Sequence, residues 1–133
     1  MTESQRDQLV QAALAARDAA YAPYSKFSVG AALLAADGRV FTGVNVENSS
    51  FGLTICAERT AVFSAVTAGV QEFAAVAVAA PGGAAPCGAC RQVLCEFSPH
   101  AEVLLADSRG EADLKVVTLA DLLPARFHLK HDA

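Results

Sequence analysis

Three thiols divided between two short motifs, Cys56-Ala57-Glu58 and Pro86-Cys87-Gly88-Ala89-Cys90, constrain this chain more than any other feature. If they close around one zinc ion, two segments far apart in sequence must meet at a point, and the fold has to bring them there. A structural zinc site fills all four positions with protein ligands, whereas a catalytic one supplies three and leaves one for water. Three thiols with a carboxylate two residues from the first therefore point to hydrolytic chemistry. Two alternatives stand beside it: a redox C-x-x-C pair, and a structural zinc module with a fourth ligand elsewhere.

At 133 residues the chain fits one domain, 1–133, with a real core. Apolar residues make up 53% of it, yet no run nears the roughly 20 needed for a membrane helix. The first residues include Glu3, Arg6 and Asp7 and lack an apolar signal core, so a cytoplasmic location with reduced thiols is expected. Surplus apolar surface in a small chain points to burial between subunits, hence an oligomer. Ten basic residues against fourteen acidic give a net charge of −4, and the basic ones are scattered. A nucleic-acid or polyphosphate partner is disfavoured, and a neutral small molecule fits better.

Hydrophobic spacing predicts a helix over about Ser4–Ala20, broken by Tyr21-Ala22-Pro23-Tyr24-Ser25. Strands follow at Ser28–Ala35 and Val40–Val46, joined by a hairpin turn at Ala36-Asp37-Gly38-Arg39. Asn48–Thr54 reads as a loop, with Thr54 placed to cap a helix over Cys56–Ala68 that stops at Gly69. The unbroken apolar run Phe73–Ala80 is a strand buried on both faces. A helix from Pro86 or Cys87 ends before Pro99. Strands at Val103–Ala106 and Lys115–Leu119 and a short helix to Leu123 complete an α/β chain with helices on a mixed sheet.

Cys87 and Cys90 are three apart and share one face at a helix start. Cys56 also begins a helix. Helix N-termini favour negative charge and lower thiol pKa, so two of them converging on one cation would let three ligands ionise together. First-turn side chains lean towards the N-terminus, so Glu58 can fold back beside the metal as a proton carrier. The simpler reading is a first-turn Glu complementing the dipole. Three thiolates on Zn²⁺ leave a charge of about −1, which makes bound water less acidic than in an all-histidine site. Arg59 is the candidate to draw charge from Cys87 or Cys90, and Arg91 is a second; either could instead form a surface ion pair. His100, His128 and His131 fall in loop or tail positions and read as non-catalytic, and Cys95 lies off the ligand face as a small buried residue.

The motif pair matches the zinc nucleobase deaminases, with Cys56 where many members carry histidine. Four blocks extend the match: Pro23-Tyr24-Ser25-Lys26-Phe27-Ser28-Val29-Gly30-Ala31-Ala32, Gly43-Val44-Asn45-Val46-Glu47-Asn48, Cys56-Ala57-Glu58-Arg59-Thr60-Ala61 and Pro86-Cys87-Gly88-Ala89-Cys90-Arg91-Gln92. Together they resemble the small homotetrameric zinc-dependent cytidine deaminases, in the family's order and spacing, over nearly the whole chain. The resemblance implies a three-layer α-β-α sandwich on a mixed five-stranded sheet. It implies hydrolytic deamination of cytidine and 2′-deoxycytidine to uridine and 2′-deoxyuridine with release of ammonia, in pyrimidine salvage. It also implies one Zn²⁺ per chain on Cys56, Cys87 and Cys90, with Glu58 shuttling protons to N3 and the departing ammonia.

By the same resemblance Phe27 lies against the pyrimidine, the Ala57 backbone contacts the base, and Asn45 and Glu47 hydrogen-bond the ribose. Taken alone, Phe27 could be core and the other two strand-end polar residues. Phe51 stands where the family commonly has a tyrosine acting across a subunit boundary, so that hydroxyl is missing here. Phe127 matches a C-terminal phenylalanine that reaches a neighbouring subunit's site, though local packing explains it equally well. Deamination of another cytosine compound, such as a nucleoside antibiotic, is the competing enzyme reading. A polynucleotide-editing deaminase would need basic grooves and aromatic platforms.

Overall fold

In the computed structural model, residues 1–129 are described; His131 of the sequence reading lies outside them. The chain runs α1 (Glu3–Arg17), β1 (Gly30–Ala35), β2 (Val40–Val44), α2 (Ala57–Thr67), β3 (Phe73–Ala80), α3 (Gly88–Phe97), β4 (Glu102–Asp107), β5 (Lys115–Thr118) and α4 (Leu119–Leu122). The five strands form one sheet in the order β2-β1-β3-β4-β5. Only β3 and β4 pair in parallel, with α3 as the crossover between them; the other pairs are antiparallel.

The central strand β3 alternates small and branched residues, and the alternation sorts the layers. Ala75, Ala77 and Ala79 face Leu9 and Ala13 of α1 with Ala32, Leu104 and Ala106. Val76 and Val78 face the opposite layer, where Ala61, Val62 and Ala65 of α2 and Leu94 and Cys95 of α3 pack with Leu33, Val103 and Leu105. Helices on both faces of the sheet make the expected three layers. Small residues let α1 press onto the sheet: a Cβ built on Gly30 would sit 2.1 Å from the Ala13 carbonyl oxygen.

Local signals explain most boundaries. Thr2 and Gln5 form a capping box at the start of α1. The helix stops at Arg17 rather than near Ala20, and Tyr21 bridges to Val46 instead. The Arg17 Nε then donates to the Ser28 carbonyl at 2.8 Å, tying the helix end to the run into β1. The hairpin turn has Gly38 at φ 95° and the Asp37 carboxylate accepting from the Arg39 backbone N–H at 3.1 Å. Strand β2 ends at Val44, two residues early, and Phe51–Leu53 forms a 3₁₀ turn inside the expected loop. Thr54 does not cap α2. Cys56 occupies the N-cap position, and its sulfur caps no backbone N–H of α2.

Topology then gathers the motifs at one end of the sheet. Gly30 at the start of β1 pairs with Ala79 near the end of β3 and with Val44 at the end of β2. The segments entering β1, leaving β2 and leaving β3 therefore share an edge. Helices α2 and α3 both start there, beyond the carboxyl end of β3, where open α/β sheets place their ligand crevices.

Candidate active site

Cys56 is the N-cap of α2 and Cys87 the N-cap of α3, with Cys90 one turn into α3. The Cys87 sulfur accepts from the Cys90 backbone N–H at 3.5 Å. The two helix N-termini bring the three sulfurs within 4.8 Å of one another, and no other such donor group occurs among the described residues. Zinc with Zn–S bonds of about 2.3 Å in a tetrahedron sets its sulfurs about 3.8 Å apart. Cys56 Sγ and Cys87 Sγ lie 3.9 Å apart, so the cluster fits the ion in spacing as well as in donor softness. The expected histidine-free ligand set is what the fold assembles: His100 and His128 are exposed, and Cys95 is buried in the core.

The charge of the sulfurs is balanced within the same turn. Cys56 is pulled down to about 5, first by a hydrogen bond from Cys90, then by Arg59 and Cys87. Cys90 is pushed up, by that hydrogen bond to Cys56 and by burial, so it holds a proton that a metal must displace. Arg59, expected to reach Cys87 or Cys90, has its Nη2 3.3 Å from Cys56 Sγ. Three positions along one helix face place it over its own first turn. Its guanidinium charge is held by Cys56 first and by Cys90 as well. Among the described residues Arg91 touches no sulfur and forms no ion pair; its Nε donates to the Pro86 carbonyl at 2.8 Å and its Nη1 to the Leu122 carbonyl at 2.9 Å. It fastens the start of α3 to α4.

Glu58 is 4% exposed, in the first turn of α2. Burial pushes its carboxyl up, with the Cys56 charge adding and Arg59 opposing. A carboxyl so placed exchanges protons more readily near neutrality than a solvated one. A cavity of about 270 Å³ opens onto Cys56, Cys87 and Glu58, and its walls include Phe27, Asn45, Glu47 and Ala57. That volume suits a small molecule and not a polymer.

Asn45 and Glu47 are buried at the end of β2, and both already serve the chain. Asn45 Oδ1 accepts from the Val29 N–H at 2.9 Å while its Nδ2 donates to the Phe27 carbonyl at 2.8 Å. Glu47 accepts from the Tyr24 and Ser25 backbone N–H groups and from the Ser25 hydroxyl. The two remaining aromatics lie outside. Phe51 is 71% exposed and meets Tyr24 edge-on, with ring centroids 5.4 Å apart. Phe127 is 72% exposed, and its carbonyl accepts from Gln92 Nε2 at 3.0 Å, so local packing does not bury its ring.

Sequence reasoning missed several wall residues: Val29, Val78, Ala80, Ala84 and Ala85 line the cavity beside Ser25 and Thr54. They look like ordinary strand and loop residues, and they meet only because the start of β1, the end of β3 and the loop after it come together in the fold. Asp107 also escaped notice. Its carboxylate accepts from the Gly82, Arg109, Glu111 and Ala112 N–H groups, and so pins the turn that leads from β3 towards Cys87.

Three thiol ligands at converging helix N-termini, beside a buried carboxyl and a cavity of small-molecule size, mark a zinc-dependent hydrolytic enzyme. Comparison with known proteins narrows the class. The profile of the cytidine and deoxycytidylate deaminase zinc-binding region matches residues 3–106, and the chain belongs to that family. It is 50% identical over 124 residues to a cytidine deaminase of Sporosarcina psychrophila, covering 91% of this chain and 90% of that one. It is similar in structure to the cytidine deaminase from Burkholderia pseudomallei, at TM-score 0.87 and 53% identity, over 96% of this chain and all of the other. The cytidine deaminase of Mycobacterium tuberculosis superposes at TM-score 0.80 and 42% identity, over 93% and 98% of the two chains.

Proposed function

We propose that this enzyme hydrolyses cytidine and 2′-deoxycytidine to uridine and 2′-deoxyuridine, releasing ammonia. The observation that carries the reading is the convergence of three sulfurs and the buried Glu58 on one cavity that also holds Phe27, Asn45 and Glu47. Cys56, Cys87 and Cys90 hold one zinc ion per chain. When bound, zinc supplies the Lewis acidity that makes a water nucleophilic near neutral pH. Glu58 takes a proton from the attacking water and delivers it to N3 of the pyrimidine. It then relays a second proton to the nitrogen leaving C4, so one water is consumed and one ammonia released. The raised pKa of Glu58 favours this two-way traffic. Arg59 draws charge from Cys56 and so offsets the third thiolate.

Phe27 offers its ring to the pyrimidine face, the Ala57 backbone meets the base edge, and Asn45 with Glu47 takes the sugar hydroxyls. A carboxylate in that wall suits a neutral nucleoside and repels phosphate. The net charge of −4 likewise disfavours nucleic acid. All four cysteines are free, in keeping with a reducing cytoplasm and a role in pyrimidine salvage. The chain acts as a single domain over 1–133.

We also propose a homotetramer with sites at subunit boundaries. Val46, Leu53, Phe63 and Val66 are exposed on and beside α2, and Phe51 and Phe127 are exposed close to the cavity and to α3. A neighbouring subunit would cover them. Among the described residues no helix is long and apolar enough to cross a membrane, so a lipid bilayer does not cover this surface as a helical span would.

The test is ammonia release from cytidine by wild type and Glu58→Gln. The variant should keep its zinc and lose at least about 10²-fold in kcat. An active Glu58→Gln protein removes Glu58 from its role, and a zinc-loaded wild type that spares cytidine removes the substrate.

A further inference from the structure

The cavity wall contains a polar chain behind Glu47, through Ser25, to which the proposed chemistry gives no part. Glu47 is 8% exposed, and its Oε1 accepts from the backbone N–H groups of Tyr24 at 3.1 Å and Ser25 at 3.2 Å. Its Oε2 accepts from the Ser25 hydroxyl. A carboxylate is an acceptor only, so this bond fixes the direction of the Ser25 proton. The Ser25 oxygen in turn accepts from the Phe27 N–H at 3.0 Å. Lys26, between them, is held at φ 61°, a left-handed conformation that a residue with a Cβ rarely adopts. Strained backbone of this kind persists only where its surroundings over-determine it. Here they do: Asn45 clamps the Phe27 carbonyl and the Val29 N–H on the far side of the kink.

An ionised carboxylate offers about four acceptor positions, and three of those on Glu47 are occupied. We propose that Ser25 is a positioning residue for sugar recognition: its hydroxyl holds Glu47 so that Oε2 keeps one acceptor position for a single sugar hydroxyl, and the same oxygen fixes the Phe27 backbone. Ser25 couples the base-facing ring to the sugar-facing carboxylate through one side chain. The inference rests on the nucleoside reading above. Removing the hydroxyl leaves Oε2 two open positions and frees the kink, so the carboxylate loses its orientation towards the ligand. A purely structural serine would weaken all substrates alike. A positioning serine weakens those whose hydroxyl Glu47 receives.

The experiment uses the zinc-loaded protein and two substrates, 2′-deoxycytidine and 2′,3′-dideoxycytidine, which differ in one sugar hydroxyl. Wild type should prefer the first in kcat/KM by at least about tenfold, the lower end for a hydrogen bond to a charged group. Ser25→Ala should remove most of that preference, chiefly through a higher KM for 2′-deoxycytidine, with 2′,3′-dideoxycytidine changed by less than about threefold. Ser25→Thr and Ser25→Val share a shape and differ in the hydroxyl; the first should keep the preference and the second lose it. Because the ratio is taken within each protein, a reduced folded fraction cancels from it. An unchanged ratio in Ser25→Ala and Ser25→Val, or an equal fall in Ser25→Thr and Ser25→Val, overturns the proposal. So does a wild type that turns over both substrates equally. A wild type that deaminates neither overturns the nucleoside reading and this proposal with it.

Discussion

Gly43→Ala is the substitution that most directly probes how the fold holds the metal site. Gly43 lies in β2 beneath the first turns of α2, and the contact is backbone to backbone. A Cβ there would stand 2.4 Å from the Ala61 nitrogen, 2.5 Å from the Ala57 carbonyl oxygen and 2.9 Å from the Thr60 Cβ. Ordinary contact begins near 3.4 Å, so the helix must retreat by about 1 Å. Thr60 resists the retreat, because its hydroxyl donates to the Val44 carbonyl at 3.0 Å. The atoms that must move belong to the turn carrying Cys56 and Glu58. Cys87 and Cys90 sit on α3 and stay where they are. Metal–ligand distances tolerate only about 0.2 Å, and a 1 Å misplacement of catalytic groups costs on the order of 10²-fold in rate. Overpacking itself costs about 1–3 kcal/mol of stability.

The expected outcome for Gly43→Ala is a folded protein with a lower Tm, substoichiometric zinc by metal analysis, and kcat/KM for cytidine reduced about 10²-fold. Gly52→Ala is the control, since a Cβ there meets nothing within 4 Å. It should leave stability within about 0.5 kcal/mol. Full zinc and near-normal activity in Gly43→Ala would refute the claim that close approach of β2 to α2 sets the ligand geometry.

Three further outcomes are expected. The Asp107 carboxyl is held down to about 2, first by the Arg109 N–H and then by the Gly82 N–H. A lowered carboxyl stabilises above its unfolded value of 3.8 and loses that contribution as pH falls through about 2. Asp107→Ala should therefore melt below wild type at pH 6, with the gap closing towards pH 2; a gap independent of pH would discount the carboxylate. In metal-stripped protein Cys56, held at about 5, should react with iodoacetamide at pH 6 and stop reacting as pH drops below 5, with Cys95 left unlabelled by peptide mass spectrometry. Labelling of Cys56 only above pH 8 would count against its ionised state. Phe63→Asp, on the exposed face of α2, should shift sedimentation from the assembled species to smaller ones and reduce activity with it. A wild type that is active as a monomer ends that reading.

Much of the fold was legible in sequence because the signals are local. The 3.6-residue spacing in α1, the Asp37-Gly38 turn and the apolar run of β3 each act within a few residues. Boundaries slipped where tertiary contacts compete with propensity. Tyr21 leaves the helix to pair with Val46, and Phe51–Leu53 takes a 3₁₀ turn within a segment that reads as loop. The Thr54 cap failed for a similar reason: the turn reaches the helix at Cys56, whose sulfur points towards its fellow ligands.

The sequence alone determined the chemistry of the centre. Two motifs supply three soft donors and a carboxylate, a pattern that points to zinc hydrolysis, with a redox pair and a structural zinc module as the alternatives. Their neighbouring blocks carried the family resemblance that the comparisons bear out. The tertiary structure decided which atoms meet. Arg59 turns to Cys56 because helix geometry puts it one turn above that sulfur, and Arg91 is taken by α4. Ser25 sits in a matched block without a role read for it and Asp107 lies outside every block; Glu47 is 22 residues from the first and Gly82 is 25 from the second. Donor type is written in single residues, whereas distance and direction are set by how β1, β2 and β3 bring separate segments to one edge of a sheet. That physical difference separates what was read from what had to be seen.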